Sequence, residues 1–254
     1  MGLRGYGHAS PFPKLLVRTH AFGGCEANIL ESGAHARASF GAGMAQYLNV
    51  HAENPQRRLI SKAADVLRKG GLIIYPTDSC YALGCRVGNK DALDRLRQIR
   101  QVDEHHHFTL VCGGLSEVAR YASVDNVQYR LLRMTTPGSY VFILKANRGV
   151  PKRILNGRRN TIGLRVPDHA AVSMLLEELG EPILSSTLIL PGETLPARDV
   201  DEFRDELRNQ VDLILDSGSC GVEMTTVVDL TGDAPSIVRV GKGPLQPFGV
   251  DGGG

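Results

Sequence analysis

The 254-residue chain has no tryptophan, and aromatic residues make up only 6% of it. That scarcity argues against a row of stacked rings for single-stranded nucleic acid. Excess charge of one sign is also missing, with 29 Lys and Arg against 27 Asp and Glu. Any basic surface must therefore come from local clustering. The five cysteines (Cys25, Cys80, Cys85, Cys112 and Cys220) are scattered, odd in number and never spaced as CxxC. This speaks against a disulfide framework or a zinc ribbon and points to a reducing cytoplasm. No apolar run approaches the roughly 18–20 residues needed to span a bilayer, so no membrane partner is expected. Neither GxxxxGK[ST] nor GxGxxG occurs, and Gly241-Lys242-Gly243 lacks both the spacing and the following helix. A Ser-His-Asp order with a nucleophile elbow is absent as well.

What is present is regular after an irregular start. Residues 1–43 hold Gly, Ala, His, Ser and Pro without period, and lack the parts of a signal peptide. The segment reads as a disordered extension, a weak targeting segment or translated upstream sequence ahead of a start at Met44; the last is favoured. From Asn54 onward apolar stripes at helical spacing alternate with short apolar runs. Leu59–Leu67 is a helix stopped by Gly70-Gly71, and Asn89 or Asp91 caps a second. Asp125 or Asn126 caps another, and Asp168 caps one carrying Val172, Leu175, Leu176 and Leu179. Strands are expected at Leu72–Tyr75, Phe108–Cys112, Tyr140–Lys145, Thr161–Val166, Pro182–Leu190, Val211–Leu215, Thr225–Leu230 and Ile237–Val240. A polar helix is expected near Val200–Asn209, and 249–254 is a glycine-rich tail. Strands alternating with helices predict one α/β domain over 44–248 with parallel pairs in its sheet.

The stretch Ile73–Gly84, IIYPTDSCYALG, carries the most chemistry. A buried strand delivers a turn of hydroxyl, carboxylate and phenol groups, pre-set by Pro76. Taken alone, it is better explained by a turn that bonds its own backbone. Arginines gather at predicted strand and helix ends: Arg97, Arg100, Arg158-Arg159, Arg165 and Arg239. Guanidinium forks there suit phosphate or carboxylate recognition. Ser185-Ser186-Thr187 places three hydroxyls in an apolar strand, where they need partners. His105-His106-His107 reads as a solvent-exposed turn, since three adjacent side chains rarely chelate one ion.

Five ordered motifs, IIYPTDSCYALG, TIGLRVPDH, EPILSSTLILPG, TTVVDLT and IVRVGKG, together resemble the YrdC family of threonylcarbamoyl-AMP synthases. The likeness is closest to its YciO branch, in which PTDS, a TPG turn before FILK, and LPG are typical. The resemblance implies a twisted mixed sheet with flanking helices around a basic concave cavity. It further implies ATP and L-threonine as substrates, Mg²⁺ with the nucleotide, and tRNA or double-stranded RNA as a partner. Carried over by position, Thr77, Ser79 and Tyr81 would line the cavity. Arg165 would contact the substrates, Ser185 and Ser186 would supply hydroxyls, and Thr226 and Arg239 would lie near the nucleotide. Two departures stand out. Where synthases carry Lys-x-Arg this chain has Arg100 and Val102, and where they carry Ser-x-Asn it has Thr187 and Ile189. These losses are typical of the YciO branch and imply weak or redirected adenylate formation. A full synthase and a non-catalytic double-stranded RNA binder remain the alternatives.

Overall fold

Local signals set where the helices begin and end in the computed structural model, which describes residues 44–103, 106–148, 150–155 and 160–249. The helices are α1 (Arg57–Arg68), α2 (Lys90–Arg100), α3 (Leu115–Tyr121), α4 (Asn126–Thr135), α5 (Ala170–Leu179) and α6 (Arg204–Leu207). Asn89 caps α2 by accepting from the Ala92 N–H, and Asp125 with Gln128 forms a full capping box on α4. Each such cap stabilises its helix by about 1 kcal/mol. Asp168 does not cap α5: the N-cap is His169, whose side chain makes no capping bond. The polar helix expected at Val200–Asn209 is only a 3₁₀ turn at Val200–Glu202 followed by the four residues of α6.

The strands are β1 (Gln46–Asn49), β2 (Leu72–Tyr75), β3 (Ala82–Arg86), β4 (Thr109–Val111) and β5 (Tyr140–Lys145). Five more follow: β6 (Thr161–Arg165), β7 (Ile183–Thr187), β8 (Leu213–Asp216), β9 (Thr226–Asp229) and β10 (Ser236–Arg239). All ten form one mixed sheet in the order β1-β8-β2-β3-β7-β4-β6-β5-β9-β10. The short strands β1 and β3 are the ones that the apolar pattern alone did not separate from their surroundings.

Because side chains alternate along a strand, each strand contributes to both faces. Ile73, Tyr75, Ala82, Val111 and Ile183 pack with the inner residues of α1 and α5. Leu83, Leu110, Leu164, Leu184 and Phe142 pack on the opposite side with α2 and α4 residues such as Leu96 and Leu132. The first face continues past α1 and α5 without such cover. There Thr109, Val141, Ile143, Thr187 and Val227 are only half-buried. The sheet also curls. Lys242, just beyond the tenth strand, donates its Nζ to the Asp78 carbonyl in the turn after β2, the third strand.

Candidate functional site

The turn after β2 is where the curled sheet closes on itself. Thr77 holds it internally: its hydroxyl accepts from the Ser79 and Cys80 N–H groups, each at 3.2 Å, and donates to the Cys80 carbonyl at 2.6 Å. That is the local bonding expected of a Ser/Thr turn. Asp78 and Ser79 instead reach across the molecule. Asp78 Oδ1 pairs with Arg165 Nη2, its Oδ2 accepts from the Ser139 hydroxyl at 2.7 Å, and Arg165 Nη2 also donates to Ser79 Oγ at 3.0 Å. The Asp78 and Arg165 side chains are each 9% exposed, so this is an ion pair largely removed from water. Gly221 packs against the back of the turn, where a Cβ would lie 2.6 Å from the Ser79 carbonyl oxygen and could not fit.

The electrostatic balance around the turn is positive. Arg165 and Lys242 both meet the single carboxylate-bearing residue Asp78, and Arg239 lies within electrostatic reach of Arg165. Burial lowers the Arg239 pKa, and the charge of Arg165 lowers it further. Arg239 is held on Thr225, through the carbonyl at 3.1 Å and the hydroxyl at 3.0 Å. Arg165 Nε and His169 Nδ1 are buried without a hydrogen-bond partner among the described residues. Burial, opposed by the Asp78 charge, lowers the His169 pKa. A cation-rich site with an unused buried donor is fitted to an anionic group.

Ser185 and Thr187 share the face on which Arg165 lies, by the register Ser185–Thr109–Gly163 and the alternation that follows from it. Ser185 accepts from the Tyr75 phenol at 2.7 Å and donates to the Leu83 carbonyl at 3.0 Å. Burial pushes the Tyr75 phenol up to about 12, so it remains a donor. The Tyr75 ring covers Gly84, where a Cβ would lie 2.6 Å from the ring.

Three of the residues assigned to the cavity are not brought there. Ser186 points to the opposite face, where its hydroxyl lies 3.1 Å from His106 Nε2. Tyr81 also lies in the opposite core, with its hydroxyl 2.9 Å from Asp216 Oδ1 and 2.7 Å from the Gly218 carbonyl. Thr226 is fully buried, donating to the Gly243 carbonyl at 2.6 Å and accepting from the Gly241 N–H at 3.0 Å. For Ser186 and Thr226 alternation is the reason: neighbours in a strand cannot serve one face. Residues the motif reading passed over, Asp78, Ser139 and Lys242, take part directly. Asp78 stood inside the quoted PTDS, and Lys242 inside the GKG set aside as a phosphate loop.

At the carboxyl end of β7 lies a second group. Arg100 donates to the Ile189 carbonyl. The Arg97 guanidinium sits 5.5 Å over the Phe108 ring, which meets His106 edge-on at 4.9 Å. The Nε atoms of Arg97 and Arg100 are buried and unpartnered. His106 is thus half-buried and bonded rather than part of a solvent-exposed turn; burial first, then the Arg100, His107 and Arg97 charges, bring its pKa down to about 4. His105, Arg158 and Arg159 lie outside the described residues. Among the described residues no three of His, Cys, Asp and Glu cluster in a way that could hold a metal ion. No helix among them is long and apolar enough to cross a membrane.

Comparison with known proteins places this geometry. The Sua5/YciO/YrdC family model, described as telomere recombination, matches residues 65–241. The YciO protein of Escherichia coli K12 is 50% identical over 205 residues, spanning 81% of this chain and all of its own length. The crystal structure of E. coli YciO superimposes with a TM-score of 0.78 over the same shares of the two chains. A threonylcarbamoyl-AMP synthase from Vibrio vulnificus is 28% identical over 159 residues, 61% of this chain and 84% of that protein. Sua5 of P. abyssi, solved with L-threonine, shares the fold at a TM-score of 0.73 and 24% identity, covering 79% of this chain and 58% of Sua5. The chain therefore belongs to the Sua5/YciO/YrdC family, with YciO proteins among its close relatives and threonylcarbamoyl-AMP synthases among its more distant ones.

Proposed function

We propose that this protein is a YciO-type ATP- and RNA-binding relative of the threonylcarbamoyl-AMP synthases whose adenylate-forming step is weak or redirected to another substrate. One observation carries this reading. Arg100 and Ile189 stand where synthases carry the lysine and the asparagine of their two motifs, and here they face each other, the guanidinium of one donating to the carbonyl of the other. The cation of the altered pair is tied to backbone, and its companion position is Val102.

In the synthase reaction the L-threonine amine captures carbon dioxide. The carbamate oxygen then attacks the α-phosphate of ATP, and pyrophosphate leaves. Negative charge grows on phosphate oxygens, so the protein contributes mainly by positioning and by neutralising that charge. Losing one such donor costs about 3–4 kcal/mol, a rate factor of roughly 10²–10³. Binding is affected less, because Arg165, Lys242 and the Thr77–Ser79 turn are held in place independently of Arg100. An amino-acid carboxylate or a phosphate would take the free donor capacity of Arg165. The P. abyssi Sua5 complex with L-threonine supports an amino acid as one ligand of the shared fold. Mg²⁺ would be carried on the nucleotide phosphates, since both oxygens of the nearest carboxylate, Asp78, already accept hydrogen bonds.

The test is pyrophosphate release from ATP, with and without L-threonine and bicarbonate. It is run on the native protein and on an Arg100→Lys/Val102→Arg/Thr187→Ser/Ile189→Asn variant. The native protein is expected to turn over at least about 10²-fold more slowly than an authentic synthase, with the variant recovering part of that factor. Native turnover equal to a synthase overturns the reading in favour of threonylcarbamoyl-adenylate formation for tRNA. Absence of turnover with any amino acid, together with salt-sensitive binding of double-stranded RNA, favours a purely RNA-binding role.

A further inference from the structure

The strands β4 and β6 are parallel neighbours, and the helices that follow them leave on opposite sides of the sheet. After β4, α3 buries Val118 in the core that contains Leu110 and Leu164. After β6, α5 buries Ala171, Val172 and Leu175 in the core that contains Ile73 and Val111. Where such connections diverge, the carboxyl ends of the two strands leave a crevice, which is the common ligand position in α/β sheets. Here that crevice is a cleft of about 290 Å³. This is near the lower bound of about 300 Å³ for small-molecule sites.

Leu115, Val166 and Leu176 give the cleft apolar walls, while Arg133, Ser173 and Thr136 bring polar groups, the Thr136 hydroxyl donating to the Leu132 carbonyl at 2.7 Å. Arg133, in the last turn of α4, is exposed and makes no ion pair among the described residues. The nearby Glu117 carboxylate accepts from the Gly113 N–H through Oε2, at 2.7 Å. Gly114 leaves open space, since a Cβ there would meet nothing within 4 Å. The cleft is also separate from the altered Arg100–Ile189 end. Val111, one residue before the lining Cys112, is level with Ile183, the first residue of β7, whereas Thr187 is the last.

We propose that this cleft is a second small-molecule site, taking an organic anion with an apolar body. The walls receive the body, and Arg133 and Ser173 meet the charged group. Its lining includes Val166 and Pro137, the first adjacent to Arg165 and the second two residues before Ser139. An occupant would therefore bear on two of the groups that hold Asp78.

The probe is 8-anilinonaphthalene-1-sulfonate, titrated into the full chain at neutral pH and read by its emission. A saturable one-to-one rise is expected. Gly114→Leu fills the cleft without backbone strain, because φ there is 172°, and should weaken binding by about tenfold or more. Arg133→Gln should weaken it about fivefold while leaving the uncharged probe N-phenyl-1-naphthylamine unaffected. Circular dichroism and thermal melting establish that each variant is folded; Ser173→Phe fills the cleft from the opposite wall if Gly114→Leu does not fold. Unchanged dye affinity in a folded filling variant overturns the proposal. Competitive displacement of the dye by ATP overturns it too, since the cleft would then be part of the nucleotide site.

Discussion

The Asp78–Arg165 network on the open sheet face and the group around Ser186 on the opposite face are built on different plans. At the Asp78–Arg165 end a buried carboxylate is met on both oxygens, by Arg165 and Ser139, and Lys242 takes the carbonyl of the same residue. At the carboxyl end of β7 two arginines and a histidine gather around Ser186 and Ile189, with two guanidinium Nε atoms unpartnered. In the first, both oxygens of the carboxylate are met, while Arg165 Nε and His169 Nδ1 stay without a partner among the described residues. The second is a set of donors held by backbone and ring contacts. On the function proposed above, the groups that position a ligand are separate from the groups that neutralise charge.

Breaking the Asp78–Arg165 pair should have the largest effect. Arg165→Ala leaves Asp78 as an uncompensated buried charge and should cost about 3–5 kcal/mol in urea denaturation, with loss of nucleotide binding by calorimetry. Removing both partners, Asp78→Ala with Arg165→Ala, should restore part of that stability, since no lone charge remains. Arg100→Ala, which removes a guanidinium that faces a carbonyl, should cost only about 1 kcal/mol. Equal losses for Arg165→Ala and Arg100→Ala would erase the distinction between the ends.

A smaller effect separates the two partners of a single hydrogen bond, from Tyr75 of β2 to Ser185 of β7. Ser185→Ala leaves the Tyr75 hydroxyl fully buried without an acceptor and should cost about 1–3 kcal/mol. Tyr75→Phe leaves Ser185 still donating to the Leu83 carbonyl and should cost about 1 kcal/mol or less. Paired chemical denaturation of the two variants reads the difference. The reverse order would mean that Ser185 has another partner in solution.

Much of this was legible from residue patterns, and the remainder fails for identifiable reasons. Asn89, and Asp125 with Gln128, mark helix starts because a cap is a local bond. Tyr140–Lys145 alternates and is the strand it appears to be. Ser185 and Ser186 were assigned together because they are adjacent in a motif, whereas the pleat sends them to opposite faces. Motif position puts Tyr81 in the cavity wall and Thr226 near the nucleotide, and in the structure their hydroxyls tie loops to strands. The pairing of Asp78 with Arg165, and the reach of Lys242 to the β2 turn, depend on how far ten strands curl. No local window contains that curvature.

The most delicate difference between the ends is in pH dependence. Burial, together with the Arg100, His107 and Arg97 charges and against that of Asp103, lowers the His106 pKa from its ordinary 6.5 to about 4. The unfolded chain therefore binds the His106 proton first. This contribution to stability is complete above pH 6.5, falls as the pH drops from 6.5 toward 4, and levels off below that. The Asp216 carboxylate, which fixes Tyr81 behind the other end, behaves differently. Burial raises its pKa, but hydrogen bonds from Tyr47, the Gly218 N–H, Tyr81 and Asn49 outweigh that and hold it below the ordinary 3.8. Its contribution persists until the pH falls below that value. Urea midpoints measured every half unit from pH 7 to pH 4 should fall less steeply for His106→Asn than for the native protein. Asp216→Asn should lower the midpoint while leaving the slope in this window unchanged. An identical slope in His106→Asn and the native protein would place the His106 ring in solvent, and the second end would then be as open to water as its motif first suggested.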